Sequence, residues 1–110
     1  MNIDELANSI SEEELKLNLV KWINGWKSDN NDINELYNMV SKWHGNVWFK
    51  SEKESNKFYE NLQLFKAKAI DGLGGLTVNE RLFFFGLFND WENADKNGQN
   101  RIRGKIHASA

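Results

Sequence analysis

The sequence contains no cysteine and no proline in its 110 residues. Without cysteine there is no disulfide framework, no thiol nucleophile and no thiolate-held metal, a composition that fits a reducing compartment. Without proline, no ring interrupts a helix from within. Threonine occurs once, at Thr77, beside four valines and seven isoleucines, so strand-favouring β-branched residues are scarce. No apolar run approaches the ~20 residues needed to cross a bilayer, which leaves no membrane span to propose. The segment Met1-Asn2-Ile3-Asp4-Glu5 lacks the basic and apolar parts of a secretory signal, and the expected location is the cytoplasm. A dominant charge is also missing: 14 basic and 16 acidic side chains leave a net charge of −2. A dedicated nucleic-acid binder carries a clearer basic excess, so direct nucleic-acid binding is not expected.

What is present reads as helix. The length suits one domain over residues 1–110, with no internal repeat and no low-complexity linker. Ile3, Leu6 and Ile10 mark a short first helix. Ser11 with Glu14 has the form of a capping box, and Leu15, Leu19, Trp22, Ile23 and Trp26 follow at helical spacing. Leu17 and Val20 widen that stripe and predict burial on more than one side. Asp32 with Glu35 opens the next helix, striped by Ile33, Leu36, Tyr37, Val40 and Trp43, with Gly45 as its stop. Ser51 with Glu54 opens a third, striped by Phe58, Leu62, Phe65 and Ala69 and broken by Gly72, Gly74 and Gly75. Thr77 with Glu80 opens a helix expected to run to Trp91. It is apolar on all sides and is expected to be the hub of the core, with Gly86 admitting a close neighbour. Asn97-Gly98 signals a turn before a last short helix from about Gln99 to His107. The expected fold is a compact all-α domain of five or six short helices around that buried aromatic helix.

Catalytic constellations do not emerge. His44 and His107 are far apart and neither pairs with another ligand type at helical spacing, so both read as structural. Asn93, Asp95, Asn97 and Gly98 resemble the start of a calcium loop, but Asn100 and Gly104 stand where it needs a hydrophobic residue and a glutamate. Gly72-Leu73-Gly74-Gly75 precedes a helix without the lysine of a phosphate-binding loop. The chain is therefore not expected to be an enzyme or to carry a cofactor. Lys96, Arg101, Arg103 and Lys105 form a basic C-terminal segment. It supports an alternative function as a small nucleic-acid-associated regulator, though no aromatic residue is interleaved for base stacking.

The 14 aromatic residues, five of them tryptophan, are the most informative feature. Trp48 and Phe49 fall in an expected connection. One reading has them plug the core from a loop. The other makes them, with Trp43, an aromatic anchor for a protein partner, rimmed by Asp29, Asp32 and Glu35, whose charge would steer a basic partner.

The segment Leu76-Thr77-Val78-Asn79-Glu80-Arg81-Leu82, continuing to Gly86-Leu87-Phe88-Asn89-Asp90-Trp91, resembles a helix of the immunity proteins of bacterial contact-dependent growth inhibition systems. The likeness covers this stretch, with length and helical make-up in accord over the rest. It implies that Glu80 and Arg81 are structural. It also implies a cytoplasmic protein that binds the C-terminal toxin domain of a cognate effector and blocks its active site. Such toxins are often nucleases, and a ribonuclease is the expected target. A basic, phosphate-attracting toxin suits an acidic inhibitor face. The acids accordingly concentrate in residues 1–60, where eleven face seven basic side chains.

Overall fold

Side-chain caps decide where most helices begin. In the computed structural model, which describes residues 1–109, α1 (Ile3–Asn8) starts at Asn2, whose side chain accepts from the Glu5 N–H while Glu5 accepts from Asn2. Asp32 caps α3 (Ile33–Asn46), Ser51 caps α4 (Glu52–Phe65) and Asp95 caps α7 (Lys96–Lys105). Thr77 and Glu80 form a reciprocal capping box at α5 (Val78–Phe84), as their spacing predicts.

The box predicted at Ser11 does not form. The cap of α2 (Glu13–Ser28) is Glu12, without a side-chain bond. The Ser11 N–H and hydroxyl instead donate to the Glu54 carboxylate at 2.7 and 2.8 Å, and Glu12 accepts from the Lys50 N–H at 3.0 Å. These contacts tie the α1–α2 connection to the start of α4. Nor is α2 buried on several sides: Leu19, Ile23 and Trp26 face inward, while Leu17 and Trp22 are 57% and 55% exposed. The α3 helix also passes its predicted stop at Gly45 and ends at Asn46, whose amide donates to the Lys42 carbonyl.

The stripe Phe58, Leu62, Phe65 and Ala69 is buried throughout, although the helix loosens after Phe65 into a π-helical turn (Lys66–Asp71) and a 3-10 turn (Leu73–Gly75). The single helix expected from Thr77 to Trp91 is two, α5 and α6 (Phe88–Asn93), which brings the described helices to seven. Gly86 adopts φ +65° between them. The Leu87 N–H returns to the Leu82 carbonyl at 2.9 Å and the Gly86 N–H to that of Phe83 at 3.2 Å, with Leu82 and Leu87 buried together. This is a Schellman stop, which needs a residue in the left-handed region and favours glycine. The predicted turn at Asn97-Gly98 lies instead in the first turn of α7, because Asp95 accepts from the Gly98 N–H at 2.7 Å.

All α1–α7 share one hydrophobic core. Its centre is the break rather than a continuous helix: Phe85 is fully buried and packs on Trp26 and Phe65, with ring centroids 6.1 and 5.5 Å away. Phe83 and Phe88, on either side of the break, remain partly exposed. The molecule measures 44 × 25 × 18 Å, so its thinnest dimension holds two helix layers. No helix among the described residues is long and apolar enough to cross a membrane.

Candidate interaction surface

The α2–α3 connection is held from below by α7. The Lys105 ammonium is buried and donates to the Asp29 carbonyl (2.7 Å), the Asp29 carboxylate (2.8 Å) and the Asn31 carbonyl (2.7 Å), and it lies 4.4 Å from the centre of the Trp26 ring. Burial pulls its pKa below the ordinary lysine value, against the opposing pull of Asp29. Arg101 donates to the carbonyls of Lys27 and Asp29. His107 Nε2 lies 2.9 Å from Asp32 Oδ2. Burial raises the Asp32 pKa, but its bond to His107, the N–H groups of Glu35 and Asn34 and the His107 charge outweigh that effect and hold the carboxyl below its usual range.

His107 itself sits at φ 55°. It occupies the stop position of α7, where the Ala108 N–H returns to the Arg103 carbonyl at 2.8 Å. Arg81 fixes this end by donating to the carbonyls of Ile106 and His107, as well as to that of Leu76. Arg81 and Glu80 thus make their contacts within the fold.

These contacts redistribute the predicted rim and the basic segment. Asp29 and Asp32 are engaged within the fold, and of the three predicted acids Glu35 is the one left exposed without an ion-pair partner among the described residues. Arg101 and Lys105 face inward, and Arg103 donates to the Ala108 carbonyl and lies over Trp91 at 4.9 Å. The segment therefore offers nucleic acid less free charge than its sequence suggests.

The three aromatic candidates also separate. Trp43 and Phe49 are buried and meet edge to face at 6.2 Å, with Phe58 beside both. His44 stacks on Phe58 and Tyr59, and its Nε2 lies 3.0 Å from Ser55 Oγ. Phe49 is thus the core plug, while Trp48 is 88% exposed.

A trough missed at the sequence level lies along the outer side of α2 and α3. It comprises two adjoining hollows of about 650 and 510 Å³ that share Trp22, Asn31, Glu35 and Met39. One end reaches Lys42, Asn46 and Val47, next in sequence to Trp48. Two indole bonds set the pairing of its walls: Trp43 Nε1 donates to Asn18 Oδ1 at 2.7 Å, and Trp26 Nε1 to the Asp32 carbonyl at 2.8 Å. The helices therefore run antiparallel, with Lys21 and Trp22 opposite Met39 and Val40. Trp22 reads as a core residue in the sequence because it shares the 3.6-residue spacing of the core stripe, yet it is 55% exposed. A tryptophan next to Ile23, which fills the same inward arc, was the available signal. Among the described residues no three histidine, aspartate or glutamate side chains gather as a metal site. No family model, curated protein or solved structure matches the chain.

Proposed function

We propose that this chain is a protein-binding inhibitor that uses the α2–α3 trough, with Trp22 and the neighbouring Trp48, as its contact surface. The observation that carries the reading is the outward placement of these two indoles, Trp22 in an open, amide-lined trough and Trp48 next in sequence to Val47 at its end, while Trp26 and Trp43 complete the core beneath it. Exposing large aromatic surface has a hydration cost that a free monomer gains nothing from, and tryptophan is enriched where partners bind most strongly.

The nature of the partner rests on the resemblance of residues 76–91 to the immunity proteins of contact-dependent growth inhibition. In this reading the partner is the C-terminal toxin domain of the cognate effector, with a ribonuclease as the target, and binding covers the toxin's active site. Glu35 faces the toxin directly. Asp29 and Asp32 act by shaping the trough, and Trp43 and Phe49 by supporting it. The test is co-purification with the toxin domain encoded beside this chain, followed by an RNA-cleavage assay. A stoichiometric complex with suppressed cleavage is the expected result. A folded chain that forms no complex would overturn the toxin assignment.

A further inference from the structure

The trough has electrical polarity. Glu35 and Lys42 lie seven residues apart on α3, two helical turns, so both point to the same side about 10 Å apart. On the facing wall Lys21 of α2 lies midway, opposite Met39 and Val40, and Lys42 alone marks the positive end. At the other end the Asp29 carboxylate is neutralised by Lys105, and Glu35 supplies the free negative charge. Lys21, Lys42 and Glu35 are exposed and have no ion-pair partner among the described residues. Between these ends lie Trp22 and Met39.

The walls also restrict the conformation of an occupant. Both are helices, whose interior N–H and C=O groups are already paired, so neither presents an edge that an extended strand could join. A segment that satisfies its own backbone suits such walls, which offer it no backbone partner. The groove between two antiparallel helices takes a third helix by packing ridges into grooves. The α3 wall, about 21 Å long, matches roughly four turns.

We infer that the trough receives one amphipathic α-helix of the partner protein, antiparallel to α3, with an acidic residue against Lys42 and a basic residue two turns later against Glu35. This orientation also places the acid near the positive end of the incoming helix's dipole and the base near its negative end. The inference rests on the protein-binding reading above and specifies what that surface grips.

Two synthetic 15-residue peptides test it on the full chain. Both carry the same leucine stripe at helical spacing. One has glutamate in its first turn and lysine seven positions later, and the other has the two exchanged. Titrations are followed by tryptophan fluorescence and backbone amide shifts. The glutamate-first peptide is expected to bind roughly fivefold or more tightly, as two rim pairs change from attractive to repulsive on exchange. Shifts are expected at Trp22, Glu35 and Lys42. A difference due only to the peptides' own helicity would persist in the Glu35→Lys, Lys42→Glu double variant, whereas the inference requires that variant to reverse the preference.

Absent shifts at the trough, equal affinities, or a preference unaltered by the double variant would overturn the inference. So would self-association of the chain through Trp22, seen by sedimentation, which would assign the trough to a second copy. The toxin domain separates this failure from that of the broader reading. If Trp22→Ala weakens its complex while neither peptide binds, the surface stands and the helical occupant falls. If Trp22→Ala leaves the complex intact, the surface itself falls.

Discussion

Gly86 illustrates how much one residue determines. Its positive φ makes the stop after α5, and an added Cβ would also collide with the Asp4 carboxylate, which pairs with Lys27 at 2.9 Å. Gly86→Ala is therefore expected to destabilise the fold by about 1–3 kcal/mol in chemical denaturation, through backbone strain and displacement of that pair. Lys105 is the second critical residue. Lys105→Met keeps most of the volume but removes the donor to the Asn31 carbonyl and the cation beside the Asp29 carboxylate, while Arg101 still serves the Asp29 carbonyl. A loss of about 2–3 kcal/mol is expected, with faster amide exchange around Asp29–Asp32. Asp32 links stability to acid. Its carboxyl titrates below its ordinary value of 3.8 in the folded chain, so the unfolded chain takes up the proton first as pH falls. Its contribution is complete above that range and is lost as pH drops through the lower, folded value. Asp32→Asn retains an N-cap and is expected to flatten this part of the unfolding free energy against pH. An unchanged acid slope would show that Asp32 is not the linked group. The cap was legible from Asp32 and Glu35 alone, because capping is a local contact. The His107 and Lys105 partnerships were not, since they join residues 75 and 76 positions apart.

At the scale of elements, local signals were read well where the backbone itself makes the contact. The Thr77–Glu80 box forms as its spacing requires, and Thr77→Ala is expected to cost about 1 kcal/mol in thermal or denaturant unfolding. The inward stripes of α3 and α4 also follow their periodicity. Three elements defeated sequence reading for separate physical reasons. The Phe83–Phe88 run is apolar on either side of Gly86, so hydrophobicity hid a helix stop that the glycine's φ reveals. Ser11 lost its cap because Glu54, distant in sequence, offers its hydroxyl and N–H a carboxylate. In α2, Trp22 and Leu17 satisfy helical spacing yet point outward, since spacing alone cannot tell a wide buried stripe from a narrow one with an apolar exposed flank.

At the scale of the whole molecule, the all-α class was legible from the missing proline, the scarcity of β-branched residues and the recurrent caps. The candidate site was legible only in part. Trp48 and Glu35 were named from sequence and stand exposed; Asp29, Asp32, Trp43 and Phe49 support the surface from within the fold. The trough needs the pairing of two helices, which no local pattern carries. Because Trp22 and Trp48 are exposed, replacing either by alanine is expected to change stability by less than about 0.5 kcal/mol while weakening a complex formed on this face, mainly through faster dissociation. The central claim is that this face binds a protein, and hydrogen exchange of the chain with and without the toxin domain proposed as its partner tests it most directly. Slowed exchange in residues 18–26 and 35–47, beyond any general tightening of the fold, is the expected result. Protection confined to α5 and α6, or no change in a chain that forms the complex, would contradict it.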